Sequence, residues 1–266
     1  MNKIISALSV ACILLSCGEQ RKKQHPIEAT EGVDVVSVKE YPTALNNVFN
    51  AHGGMTQWNA MNALSFRMNN NGSIEVHTTD LKNRNEKIDH KDWSIGSNDK
   101  ELWVLEHTPE SYSGNALFYK NLMFYFYAMP FVVGDNGVFY TPLSPTTLDG
   151  IAYNAIKMSF DKGVGYSPTD EYIIYSDPES NKMIWLGYTV TGNSGKKSDR
   201  WSFIKYVDWQ EVNGLLLPKT LRWYEVENQK PTILKGERTF DEVAITATVL
   251  DAAFFSTPKK ATVLKD

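Results

Sequence analysis

The chain has 266 residues, 42% of them hydrophobic and 12% aromatic, with a net charge of −4. That is enough apolar material for one sizeable core, and the slight negative charge argues against nucleic acid as a partner. Its two cysteines, Cys12 and Cys17, both lie near the N-terminus, so the body of the chain offers no disulfide, no cysteine-bound zinc and no thiol nucleophile.

Lys3 is followed by an uncharged run from Ile4 to Leu15 and then by Ser16-Cys17. This is the layout of an export signal, and the run is shorter than the roughly 20 residues a membrane span needs. Leu14-Leu15-Ser16-Cys17 resembles the lipobox of bacterial lipoproteins, which implies cleavage before Cys17 and acylation of its thiol. At about 0.8 kcal/mol per buried CH₂, two or three acyl chains would hold the protein on a membrane unaided. The expected layout is a signal peptide over 1–16, a polar tether over 17–39 and one domain over 40–266. Gly18 in place of an aspartate resembles lipoproteins passed on to the outer membrane, so the expected location is the cell envelope, on the outer membrane facing the periplasm, with exposure at the cell surface as the alternative.

In chain order, Pro42 suits the start of a helix whose apolar face is Leu45, Val48 and Phe49, and His52-Gly53-Gly54 stops it. A second short helix presents Met55, Trp58 and Met61. The period then changes to two: Leu64, Phe66 and Met68 alternate with polar residues, and Asn71-Gly72 turns the chain into Ile74, Val76 and Thr78. Asn-Gly between alternating runs predicts a hairpin. Further strands are predicted around Trp93 and Ile95, Leu102 to Leu105, Tyr153 to Phe160, Tyr172 to Tyr175 and Met183 to Val190. Three more follow at Trp201 to Val212, Leu215 to Tyr224 and Leu234 to Ile245. With no repeat and no βαβ rhythm, the sheet should be antiparallel and meandering.

Ala116 to Asp135, ALFYKNLMFYFYAMPFVVGD, interrupts this rhythm, with apolar or aromatic side chains at almost every position before the β pattern resumes at Gly137. Leu117 to Phe131 reads as a helix apolar on all sides, which must be covered all round or must itself cover something oily. The expected fold is therefore mainly β with a few helices, a curved antiparallel sheet or half-barrel around an aromatic helix. If that helix is the lid of a cavity, the candidate lining is Trp58, Phe66, Trp103, Leu122, Phe124, Phe126, Phe131 and Trp185.

Four blocks, AHGGMTQWNAMNALSFRM, FYFYAMPFVVGDNGV, FDKGVGYSPTDEYIIYSDPESNKMIWLGYTVTG and DWQEVNGLLLPKTLRWYE, together resemble a family of uncharacterised lipoproteins found mainly in Bacteroidota. The resemblance runs from about Leu45 to Asp251. That family is similar in architecture to LolA/LolB-type carriers, in which a curved antiparallel half-barrel closed by helices holds lipid acyl chains. The resemblance implies a half-barrel and a lipid or acyl-chain partner, and it carries over no catalytic residue.

Chemistry-bearing constellations are sparse. The five histidines form no spaced metal motif, and His52 reads chiefly as a helix C-terminal residue, where a cation favours the helix dipole. Asp161, Asp170 and Glu171 lack the order of a calcium loop. His52, Asp135 and Asp161 remain candidates for polar groups at a pocket mouth. The expected function is non-enzymatic binding of a hydrophobic ligand by a monomeric domain without cofactor or metal, tethered to the membrane through acylated Cys17. A periplasmic hydrolase would instead gather Asp135, Asp161, Asp170 or His52 at one site. A glycan or protein interaction module would show a row of exposed tryptophans.

Overall fold

The structure is a computed structural model describing residues 39–162, 167–191 and 196–264. Residues 1–38, which hold the expected signal peptide, Cys17 and most of the expected tether, lie outside the described residues. Helix α1 (Thr43–Ala51) buries Leu45, Val48 and Phe49, with Pro42 as its N-cap and His52 as its C-cap. Gly53 follows at φ +105°, where a Cβ would meet the Gly214 carbonyl oxygen at 2.2 Å. Only glycine allows the chain to turn there against the 213–214 turn. Helix α2 (Met55–Asn59) then buries Trp58.

Strands β1 (Ala63–Asn70) and β2 (Ser73–Asp80) form the predicted hairpin, with both turn residues at positive φ, Asn71 at 52° and Gly72 at 90°. Phe66 stands opposite His77 and Met68 opposite Glu75. Next come β3 (Glu86–His90), β4 (Trp93–Ser97) and β5 (Leu102–Glu106). After the helical segment the chain runs through β6 (Val138–Leu148), β7 (Ile151–Phe160), β8 (Glu171–Ser176) and β9 (Met183–Thr189). It then continues through β10 (Trp201–Val212), β11 (Leu215–Glu227), β12 (Lys230–Thr246) and β13 (Thr262–Leu264).

These thirteen strands make one open sheet in the order β13-β5-β4-β3-β2-β1-β12-β11-β10-β9-β8-β7-β6. Neighbours pair antiparallel, and two of the pairs join strands distant in the chain, β12 beside β1 and β13 beside β5. The fold is mainly β with few helices, and one face of the curved sheet packs on the helical segments. Two strands, β3 and β13, were not read from the sequence, each for a physical reason, while β6 begins where the β pattern was expected to resume at Gly137. In β3, EKIDH, the inward residues flanking Ile88 are charged or polar, which hides the alternation. In β6, Pro142 and Pro145 are tolerated because β6 is an edge strand. β13 is too short to show a period.

The predicted single helix over 117–131 is instead broken into α3 (Ala116–Tyr119), α4 (Leu122–Tyr127) and a 3-10 turn, Phe131–Gly134. Lys120 is extended and Asn121 is left-handed at φ 61°. The Asn121 amide donates to the Glu86 carboxylate instead of to a carbonyl one turn back. Pro130, which has no N–H, ends the second piece.

Candidate functional site

The segment α3–α4 forms a ridge on the inner face of the sheet. Asn115 caps its first turn, accepting at Oδ1 from the Phe118 amide at 3.1 Å. One side of α4 enters the core, where Phe124 and Tyr127 are fully buried and the Tyr127 ring stacks on Phe66 at 4.2 Å between centroids. The other side carries Leu122 and Phe126. On that side two clefts adjoin, sharing Phe118, Leu122, Phe126, Tyr172 and Val190 among their walls. The larger, about 360 Å³, continues between Tyr125, Val138 and Phe160. The smaller, about 290 Å³, runs toward Met68, Trp223 and Arg238. Both are lined mostly by apolar side chains, as small-molecule sites usually are.

The residues singled out in the sequence separate into three groups. Leu122 and Phe126 line both clefts. Phe66, Phe124 and Phe131 are packed core, as is Trp58, which lies 4.8 Å from Phe131 in a parallel stack and borders a separate, polar hollow near Arg84. Trp103 and Trp185 occupy the opposite face of the sheet and cannot line a cavity beneath α4. Trp103 covers Gly96, where an added Cβ would fall 2.0 Å from its ring, and its Nε1–H donates to the Phe255 carbonyl at 3.3 Å. Trp185 packs with Tyr153, Tyr175 and Phe203 in an outer cluster, under the Lys205 ammonium at 4.9 Å. Strand alternation alone could not distinguish the faces, because both are covered.

The polar candidates do not converge on one centre. His52 caps α1 as expected, but as a neutral ring and not as a cation: its Nδ1–H donates to the Val48 carbonyl at 2.8 Å. Its ring lies 4.6 Å from that of Trp209, and burial pushes its pKa down to about 4. It is walled off from both clefts. Asp161 is exposed and accepts from the Lys162 amide. Asp135 and Asp170 both border the larger cleft, but each is engaged: Arg84 Nη2 donates to Asp135 at 2.6 Å, and Asp170 accepts the Thr191 amide at 2.7 Å and its hydroxyl at 2.8 Å. Of the seven tryptophans none is exposed, so the surface row required of a glycan-binding module is not present among the described residues.

A buried polar cluster that the sequence reading missed fastens the ridge to the sheet. Glu75, His77, Thr79 and Glu86 all point inward from β2 and β3 and are buried. Glu75 Oε2 accepts from His77 Nε2 at 3.0 Å and from the Tyr119 hydroxyl at 2.6 Å. Glu86 receives the Asn121 amide and lies 3.6 Å from His77 Nδ1, an ion-pair contact too long for a hydrogen bond. Burial is the largest influence on His77 and opposes its charge, but the two carboxylates together outweigh it and hold its pKa above the usual histidine value. Burial likewise works to raise Glu75, and His77 and Tyr119 overcome it, so its pKa is lowered. The signal was available in the hairpin: a two-residue Asn-Gly loop places His77 opposite Phe66 and Glu75 opposite Met68, on the core face.

No family model matches the chain, and no curated protein matches it. Among solved structures it is similar to the LolA superfamily protein NE2245 from Nitrosomonas europaea, at 12% identity and a TM-score of 0.43 over 73% of this chain and 88% of that one. It is also similar to an outer membrane lipoprotein-sorting protein domain from Vibrio parahaemolyticus, at 7% identity and a TM-score of 0.36, with the same coverage of 73% and 88%. A third likeness is to the lipoprotein LppX from Mycobacterium tuberculosis, at 8% identity and a TM-score of 0.26 over 57% of this chain and 91% of that one. The solved neighbours are thus LolA-superfamily and lipoprotein folds. All three likenesses lie below a TM-score of 0.5 and leave the clefts to be judged by their own geometry.

Proposed function

We propose that the domain binds the apolar chain of a lipid-like ligand in the clefts beside α4, without reacting it. The proposal includes the setting expected from the sequence, a monomer held at the outer membrane by acylated Cys17. The observation that carries the binding reading is the 360 Å³ cleft walled by Leu122, Tyr125, Phe126, Phe160 and Tyr172. Its volume falls within the few hundred cubic ångströms that suit a small ligand. Among the described residues no helix is long and apolar enough to cross a membrane. A hydrolytic reading would need two carboxylates free to act on one atom, whereas Asp135 is held by Arg84 and Asp170 by Thr191.

Native mass spectrometry of protein taken from its own membrane should show co-purifying lipid, lost on delipidation and regained on adding lipid. Protein that remains lipid-free in both states would remove the reading. Mass analysis of the N-terminus checks the anchor independently, because an unmodified Cys17 or a retained segment 1–16 contradicts it.

A further inference from the structure

Arg238 is a cation at an inward position. On β12 it shares the inner face with the core residue Phe240 and stands opposite Leu221, another core residue, at the end of the smaller cleft. Arg67, Arg84 and Arg222 each sit against a carboxylate at 2.6 Å. Among the described residues Arg238 forms no ion pair. One of its five N–H donors is used, by Nη1 on the Glu237 carbonyl at 2.8 Å, and its guanidinium lies 5.6 Å from the Trp223 ring centre. The inward-facing acid of β2, Glu75, one strand beyond β1, is already engaged by His77 and Tyr119.

A half-buried guanidinium without an anion is costly to keep on an apolar face, and its fork of donors matches a carboxylate or phosphate. Burial, its main influence, lowers the Arg238 pKa, with Tyr119 and Glu75 opposing. The cleft's other charged wall residue, Asp170 just before β8, stands four strand spacings away across β11, β10 and β9, roughly 19 Å along the sheet. The cleft walls therefore carry charge of both signs on strands well apart in the sheet, and Leu122 and Phe126 belong to the apolar part of the same walls.

We propose that Arg238 is the head-group site of the ligand, which is a single-chain amphiphile with an anionic head: the head pairs with the guanidinium and the chain lies along Leu122 and Phe126. This rests on the binding reading above and adds the ligand's polarity and direction.

Decanoate, decanol and inorganic phosphate, each titrated at pH 8 by calorimetry, separate the possibilities. Decanoate should bind about tenfold or more tightly than decanol, and phosphate should not compete at the same concentrations. Arg238→Met should erase the preference by weakening decanoate alone, while Arg238→Lys should retain part of it. Where Arg238→Met folds poorly, as judged by circular dichroism, Arg238→Gln takes its place. Equal affinity for decanoate and decanol in the natural protein, or a preference that survives Arg238→Met, overturns the head-group site but leaves the binding reading standing. Competition by inorganic phosphate shows a free-anion site and overturns the amphiphile. Failure of decanoate and decanol alike to bind removes the site and the binding reading together.

Discussion

The two flanks of the α3–α4 ridge are made of different materials. Toward β2 and β3 it is held by directional polar bonds, with Tyr119 on Glu75, Asn121 on Glu86 and His77 between the two carboxylates. Toward β8 and β9 it presents Leu122 and Phe126 to the walls of the two clefts. Hydrogen bonds between buried charges tolerate little displacement, whereas apolar contacts tolerate changes of partner. The contrast teaches how a ridge can be fixed in place along one side and still leave room for a ligand along the other.

The polar flank should be the more costly to break. His77→Ala leaves two buried carboxylates without their cation, and loss of one partner from a buried ionic cluster costs about 3–5 kcal/mol. Urea unfolding should show this loss, and a change under about 1 kcal/mol would mean that water, and not His77, compensates those carboxylates.

Phe124→Ala tests the core side of α4 and should cost about 3–5 kcal/mol, since the ring is fully buried. Lipid retention measured on the folded fraction should be unchanged, because Phe124 walls neither cleft.

The two buried histidines should respond to pH in opposite directions. His52 has a folded pKa of about 4, below its usual 6.5, so the unfolded chain binds the extra proton and stability falls as pH drops from about 6.5 toward 4. The loss is about 3 kcal/mol by linkage. His77 is raised, so its contribution is fully present below 6.5 and is lost as pH rises through its folded value. Glu75 is lowered, so its contribution is present above its ordinary value and is lost as pH falls through the folded one. Histidine NMR titration separates these: a ring of His52 that protonates near 6.5 in the folded protein contradicts its burial as a neutral group.

The smallest stability effect should fall on the cleft flank. Phe126→Leu should cost about 1–2 kcal/mol, because one side of the ring meets a cleft, yet it should weaken lipid retention where Phe124→Ala does not. A full core penalty at both positions with no change in retained lipid would make the ridge plain scaffold.

Much of the fold was legible in local pattern. The change of period from helix to strand after Met61, the Asn71-Gly72 turn and the alternation of β7 to β12 all depend on neighbours a few residues away. The candidate site was legible only in part. Leu122 and Phe126 were named beside Phe124 because the segment is apolar all round, but which side faced a cleft could not be read from a run with so little polar contrast. Trp103 and Trp185 were misplaced because each belongs to a strand buried on both faces. Glu75, His77 and Glu86 were overlooked because charged residues in a strand ordinarily face water.

The sequence by itself determined an antiparallel, mainly β domain with two short helices at its start and an aromatic segment in its middle, because side-chain period and turn chemistry act over a few residues. Only the tertiary structure decided where that segment breaks. The Asn121 amide is drawn to Glu86, 35 residues away in the chain. The crossover that lays β12 against β1 brings Arg238 and Met68 to the same cleft. These pairings join residues from distant parts of the chain, and no local pattern encodes which of them will meet.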